Sequence, residues 1–245
     1  MQFIFDFDGV LLDSLGEVII TSYNAASGDL AFEPEKPPAA FSELLRLNRF
    51  YCGRAGDFVT LASALLEGRV PAKAPYFSKA EFDEIIAADK LSREDRLNQF
   101  FMTRKFMIAG DRFAWLALHN TYEPLWERAK SFADELILMT NKNTQAVVET
   151  CEHFGLELRE ENIYSGDAGA TKTENFTKIK KRFDDKQRYF FVDDSVKNLQ
   201  KLERDFPKEI TLSLASWGYL GPEDLSIAKE AGFLIDSQES LLERL

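Results

Sequence analysis

Residues 1–14 read MQFIFDFDGVLLDS. Phe3, Ile4, Phe5, Phe7 and Val10 are apolar enough for a protein interior, yet Asp6 and Asp8 are threaded among them. A carboxylate carried into apolar surroundings is costly unless it has a partner or a task. Side chains two apart in a strand face the same way, so Asp6 and Asp8 are expected to converge on one point. That point could hold a cation, a pair of carboxyls sharing a proton, or both.

Outward from this stretch, short apolar runs recur in the second half of the chain. LILM (136–139), RYFFV (188–192) and ITLSL (210–214) are clear, and a weaker run surrounds Ile163 and Tyr164. Between them, 144–154, 174–183 and 195–206 carry apolar residues at helical spacing, with Val196, Leu199, Leu202 and Phe206 forming one stripe. With FIFDF at the start, five strands alternating with helices predict an α/β protein with a parallel sheet. Residues 15 to about 125 differ. DFVTLASALLEG (57–68), FDEIIAA (82–88) and LNQFFMTRKFMIA (97–109) have helical spacing, PEKPP (34–38) and VPAKAP (70–75) break it, and strand patterns are absent. The simplest reading is a helical insert after the first strand. Its aromatic set, Phe100, Phe101, Phe106, Phe113 and Trp115, is expected to be core of the insert or its interface with the sheet domain.

Composition narrows the function. At 245 residues, 45% hydrophobic and 29% charged, the chain has ample material for a core. No uninterrupted apolar run is long enough to span a membrane, and the N-terminus lacks the basic and long apolar segments of a signal peptide. A net charge of −11 argues against a nucleic-acid partner, which needs a basic face. Cys52 and Cys151 fit no metal spacing and are expected to be isolated thiols; two histidines cannot build a multi-histidine zinc site. The expectation is a cytoplasmic protein acting on a small molecule, with no membrane partner.

Every chemistry-bearing residue follows a predicted strand. Asp6 and Asp8 end the first, Thr140 and Asn141 follow LILM, Asp193 and Asp194 follow YFFV, and Lys172 lies in a loop after the Ile163 run. Open α/β sheets bind ligands beyond the carboxyl ends of their strands, so these segments are expected to meet at one rim. Carboxylates such as Asp6 and Asp194 suit Mg2+, while Lys172 and Thr140 suit an anionic oxygen. Together they fit phosphoryl transfer with a carboxylate nucleophile, a second carboxyl handling the proton. Each has a plainer reading: Asp193, Asp194, Thr140 and Asn141 could cap helices, and Lys172 could be solvated.

In order and context, DFDGVLLDS, LMTNKN, Lys172 and FVDDS resemble the haloacid dehalogenase-like (HAD) hydrolase superfamily. The resemblance covers roughly residues 1–16 and 132–235, and the insert occupies the position of that family's helical cap. It implies a Rossmann-like parallel sheet core formed by 1–14 and 126–245, with a helical cap at 15–125. Asp6 would be the nucleophile that forms an aspartyl-phosphate and a Mg2+ ligand. Asp8 would be the general acid and base, with its carbonyl on the metal. Thr140, with the backbone near Gly9 and Asn141, would bind phosphoryl oxygens. Lys172 would steady the phosphoryl group, and Asp194 would complete the metal site, with Asp193 as the alternative. Dehalogenases of the superfamily lack an acid at position 8, so the resemblance implies a phosphomonoester hydrolase; a phosphomutase or a non-catalytic metal-binding member are the alternatives. TNK (140–142) and WGY (217–219) look like phosphoglycolate-phosphatase-type members, although Thr173 stands where a proline often follows the lysine.

Two further segments are weighed. SGDAGATKT (165–173) is not a P-loop, because Thr171 stands where that motif needs a glycine immediately before the lysine. In RLNRFYCGRAG (46–56), Arg46, Arg49 and Arg54 could read a carboxylate or second phosphate on the substrate, or could form a solvated helix face.

Overall fold

The computed structural model describes residues 1–28, 34–73, 75–183 and 188–245. The chain divides into two compact units, Met1–Asp13 with Asn120–Leu245, and Ser14–His119. The strands are β1 (Gln2–Phe5), β2 (Leu12–Asp13), β3 (Asn120–Thr121), β4 (Ile137–Met139), β5 (Ile163–Tyr164), β6 (Tyr189–Asp193), β7 (Ile210–Ala215) and β8 (Leu234–Asp236). The helices of Ser14–His119 are α1 (Leu15–Ser27), α2 (Ala39–Asn48), α3 (Ala55–Leu66), α4 (Lys79–Ala88), α5 (Arg93–Gly110) and α6 (Arg112–Leu116). Those of the other unit are α7 (Glu123–Lys130), α8 (Thr144–His153), α9 (Lys172–Arg182), α10 (Val196–Asp205), α11 (Asp224–Glu230) and α12 (Gln238–Leu242).

The first unit is an α/β layer structure. Its six-stranded sheet is parallel throughout, in the order β5-β4-β1-β6-β7-β8. Phe5 pairs with Leu138 on one side and Val192 on the other, so β1 is central. Successive residues of each strand enter opposite cores. Phe5, Leu138, Phe190 and Val192 pack with Trp126, Val147 and Leu241 on one face. Ile4, Ile137, Met139 and Phe191 pack with Phe176, Ile179 and Leu199 on the other. Burial on both faces is why these strands read as unbroken apolar runs rather than as alternating ones. Chain order runs outward from β1 through β4 to β5, then crosses to β6 and runs out through β7 to β8. The direction of winding therefore reverses beside β1, where an open sheet leaves a crevice at its carboxyl edge.

Three strands go beyond those that the sequence pattern predicts. β8 extends the sheet, and the antiparallel pair β2–β3 lies outside it, with Leu12 opposite Thr121. Two residues per strand carry no readable period.

The second unit is helical, with no strand among its described residues. Val18, Leu45, Val59, Leu61, Phe82 and Phe100 belong to its core. The spacings at 57–68, 82–88 and 97–109 fall in α3, α4 and α5. Ala74, within the second predicted breaker, lies outside the described residues. The aromatic set divides: Phe100 and Trp115 are buried, whereas Phe101 is 41% and Phe113 73% exposed. Neighbours on a helix are about 100° apart, so Phe100 and Phe101 cannot both face one core. Among the buried residues Glu17 takes both Nε and Nη2 of Arg104 at 2.8 Å, tying α1 to α5, and also accepts from Thr21 Oγ1.

Cys52 and Cys151 are free thiols, and burial pushes Cys151 up to about 12. Among the described residues, no helix is long and apolar enough to cross a membrane.

Candidate active site

β1 stops at Phe5, one residue before the first acid. The Asp6 N–H still donates to the Val192 carbonyl (2.8 Å), which fixes Asp6 beside the end of β6. The chain then folds sharply. The Phe7 carbonyl accepts from Val10, Leu11 and Leu12, and Gly9 turns with φ +84. Only glycine suits position 9. Its φ is left-handed, and a Cβ there would stand 2.0 Å from Asp194 Oδ2. Asp6 and Asp8 thus lie beyond the strand, against the expectation that its pleat aims them. They reach the rim through a turn and take different partners.

Asp6 is buried. Its Oδ1 accepts from the Phe7 N–H (2.7 Å) and its Oδ2 lies 2.7 Å from Lys172 Nζ. Lys172 also meets Asp193 Oδ2 at 2.6 Å and rests over the Phe191 ring. Asp193 is fully enclosed: Asn198 Nδ2 donates to its Oδ2 (3.0 Å) and the Ser195 N–H to its Oδ1 (2.8 Å). Asp194 Oδ2 accepts from the Tyr219 N–H (2.8 Å). Asp8 Oδ1 lies 3.0 Å from the ammonium of Lys142. Thr140 follows β4, with its N–H donating to the Tyr164 carbonyl (3.0 Å) and its Oγ1 accepting from the Lys142 N–H (3.1 Å). Asn141, the next residue, is exposed.

Lys172 is the first residue of α9 rather than a loop residue, and it is held there by a capping box. Thr171 Oγ1 accepts from the Glu174 N–H, and Glu174 Oε2 accepts from the Thr171 N–H. The helix start therefore aims the lysine. Thr171→Ala is expected to lower the stability of this unit by about 1 kcal/mol. Urea unfolding measures this, and an unchanged midpoint would show that the cap carries no weight.

The electrostatics of the rim are unbalanced toward negative charge. Burial pushes Asp6 up to about 8 against the Lys172 ammonium, and Asp193 and Asp194 push in the same direction as burial. For Lys172, burial favours the neutral form, but Asp193 and Asp6 outweigh it and hold the ammonium above the usual lysine range. The rim holds four carboxyl groups (Asp6, Asp8, Asp193, Asp194) and two ammonium groups (Lys142, Lys172). With all six ionised, the surplus of two negative charges equals the charge of one divalent cation. Asp6, Asp193 and Asp194 each offer an oxygen, all within 4.8 Å of one another, and all three are buried. Such a hard-oxygen set fits Mg2+.

A family model for haloacid dehalogenase-like hydrolases matches residues 2–204. The chain belongs to the haloacid dehalogenase-like hydrolase family. Solved structures share the HAD fold. One is a haloacid dehalogenase-like family hydrolase from Streptococcus pneumoniae, 14% identical with a TM-score of 0.58, covering 98% of this chain and 94% of that one. Another is described as a predicted phosphoglycolate phosphatase from Haemophilus somnus, 18% identical with a TM-score of 0.59, covering 99% and 96%. A predicted phosphatase from Clostridium acetobutylicum is 15% identical with a TM-score of 0.54, covering 99% and 96%. At these identities the likeness is one of fold. No curated protein matches the sequence significantly.

Two residues of this HAD-fold rim belong to motifs of the sequence but had no task assigned from it. Lys142 lies in TNK and pairs with Asp8. Tyr219 lies in WGY; besides its N–H on Asp194, its hydroxyl donates to Asp13 Oδ1 (2.6 Å), tying the loop after β7 to β2. The signal for Lys142 was its place three residues past the end of a buried strand. Nothing local marked Tyr219. The insert arginines have local partners in the helical unit. Arg46 pairs with exposed Glu43, Arg49 packs over the Phe58 ring, and the Arg54 N–H donates to Asp57 at the start of α3.

Proposed function

We propose that this HAD-family hydrolase is a Mg2+-dependent phosphomonoesterase acting on a small soluble phosphorylated metabolite through an aspartyl-phosphate. The observation that carries the reading is the convergence of Asp6, Asp193 and Asp194 around one lysine at the carboxyl edge of the sheet. Asp6, the backbone carbonyl of Asp8 and the carboxylate of Asp194 would hold Mg2+. Asp194 is favoured over Asp193 because Lys172, Asn198 and the Ser195 N–H already engage both oxygens of Asp193. When bound, the cation supplies charge neutralisation for a phosphate ester that must enter an acidic rim.

The protein's own groups account for the remaining steps. Lys172, Thr140 and the backbone near Gly9 and Asn141 bind the phosphoryl oxygens. An Asp6 oxygen attacks phosphorus, the bond to the ester oxygen breaks, and protonated Asp8 gives its proton to that oxygen. Asp8, now a carboxylate, takes a proton from water. The water oxygen bonds to phosphorus, the Asp6–phosphorus bond breaks, and inorganic phosphate leaves. The buried start of α9 keeps Lys172 in place throughout, so little reorganisation accompanies the charge that develops. In this reading the helical unit, Ser14–His119, is the cap domain.

The test is inorganic phosphate release from 4-nitrophenyl phosphate and a panel of metabolite monophosphates, with Mg2+ and after EDTA. Turnover is expected with Mg2+ and a fall on the order of 100-fold or more after chelation. A folded, Mg2+-supplied protein that releases phosphate from none of them would overturn the proposal.

A further inference from the structure

The mechanism uses Lys172 and leaves a second buried lysine without a task. Lys142 has a side chain only 3% exposed, and its ammonium lies 3.0 Å from Asp8 Oδ1, while the Asp8 side chain is 22% exposed. Burying an ammonium is costly without a counter-charge, and any nearby carboxylate would serve that need. The carboxylate chosen is the one that must move protons.

The origin of the Lys142 side chain is fixed from both directions. Its N–H donates to Thr140 Oγ1 (3.1 Å), and its carbonyl accepts from the Gly166 N–H (3.3 Å). Thr140 is itself tied to the Tyr164 carbonyl (3.0 Å). Gly166 packs so closely that a Cβ there would stand 2.4 Å from the Asn141 carbonyl oxygen. The loop after β4 is therefore clamped to the loop after β5, and the lysine projects from a rigid base. Asp8, by contrast, stands in a turn beside Gly9, beyond the sheet ladder. Lys142 supplies a fixed cation to that partly exposed carboxylate. Lys172 cannot supply that cation, because it is shared between Asp6 and Asp193.

We propose that Lys142 is a positioning residue that holds the Asp8 carboxyl group in line with the leaving oxygen of the ester. The inference rests on the phosphomonoesterase reading. It assigns the two lysines separate work: Lys172 serves the phosphoryl group and the nucleophile, and Lys142 serves proton delivery.

That division has a kinetic signature. Phenyl phosphate has a basic leaving group that needs a proton, whereas the leaving group of 4-nitrophenyl phosphate departs without one. The two esters are otherwise alike. In Lys142→Met, kcat/KM for phenyl phosphate is expected to fall on the order of 100-fold, the low end for general acid catalysis. For 4-nitrophenyl phosphate the change should stay within roughly fivefold, since little of the acid's contribution is at stake there. Lys142→Arg, which keeps the charge but alters its reach, should show the same selective loss in smaller measure, and it carries the comparison if the methionine variant fails to fold. In an Asp8→Asn background, Lys142→Met should cost nothing further, because two residues acting through one step are not additive. Equal losses on both esters, no loss on either, or an undiminished loss in the Asp8→Asn background would overturn the assignment. If wild type releases phosphate from neither ester and from no metabolite monophosphate of the panel, the phosphomonoesterase reading fails and takes this inference with it.

Discussion

Asp6→Asn is expected to abolish phosphate release, with kcat falling by a factor on the order of 10⁴ to 10⁶, the range seen when a nucleophile is removed. An amide cannot form the aspartyl-phosphate, and it withdraws one of the buried oxygens that surround the acidic rim. Stability should respond differently. In the metal-free protein burial pushes Asp6 from 3.8 up to about 8, with Asp193 and Asp194 adding to it. A carboxyl whose folded value lies above its unfolded one contributes stability that is complete below 3.8 and is lost as the pH climbs to about 8. Asparagine stays neutral and has no such loss.

The amide has a cost of its own. Its single oxygen cannot accept from both the Phe7 N–H and Lys172, and an unmet donor costs about 1–3 kcal/mol. The proton that wild-type Asp6 must take up to fold at neutral pH is the larger cost. In EDTA at pH 7.5 the inactive variant is therefore expected to melt at or above the wild-type temperature. A variant that retains turnover would remove Asp6 from the nucleophile role. One that is inactive and much less stable would show that the loss reflects folding.

Lys172→Met gives the opposite stability result with a similar loss of function. Lys172 is buried between Asp6 and Asp193, and Asp193 is fully enclosed. Removing one partner of a buried pair leaves an uncompensated charge and typically costs about 3–5 kcal/mol. Here two carboxylates are left facing each other. The urea midpoint in EDTA should fall accordingly. Mg2+ should recover part of the stability by restoring positive charge, yet kcat/KM should remain lower on the order of 10³-fold, because the phosphoryl oxygens have lost a fixed cation. A midpoint equal to wild type in EDTA would mean that the carboxylates do not depend on this lysine. Recovery of activity by Mg2+ alone would deny Lys172 a part in phosphoryl binding. The pair of variants separates charge from chemistry, since both lose activity while their stabilities move apart.

The fold was legible wherever the pattern was long. LILM, RYFFV and ITLSL announced β4, β6 and β7 because parallel strands covered on both faces are largely apolar, and the helix between β6 and β7 carried a clean stripe from Val196 to Leu202. The strand ends were legible too, since the first polar residue after such a run marks where a buried strand reaches the edge of the sheet. β2 and β3 were not, because two residues have no period, and β8 is only three residues long. The division between buried Phe100 and exposed Phe101 was not legible either, because it depends on rotation about the helix axis.

The chain read residue by residue settles the class of chemistry: acids, a hydroxyl and a lysine at the ends of apolar strands in an acidic chain. That follows from local rules, because burial forces a strand to be apolar and leaves its carboxyl end as the place for polar groups. Packing alone settles which cation serves which acid. Lys142 and Lys172 stand 30 positions apart in the chain, yet one reaches Asp8 and the other reaches Asp6 and Asp193. Such pairings depend on strand order and on loops clamped to one another, as at Thr140–Tyr164 and Lys142–Gly166. An ion pair is set by distances of about 3 Å between groups remote in sequence, and only the packed sheet brings those groups together.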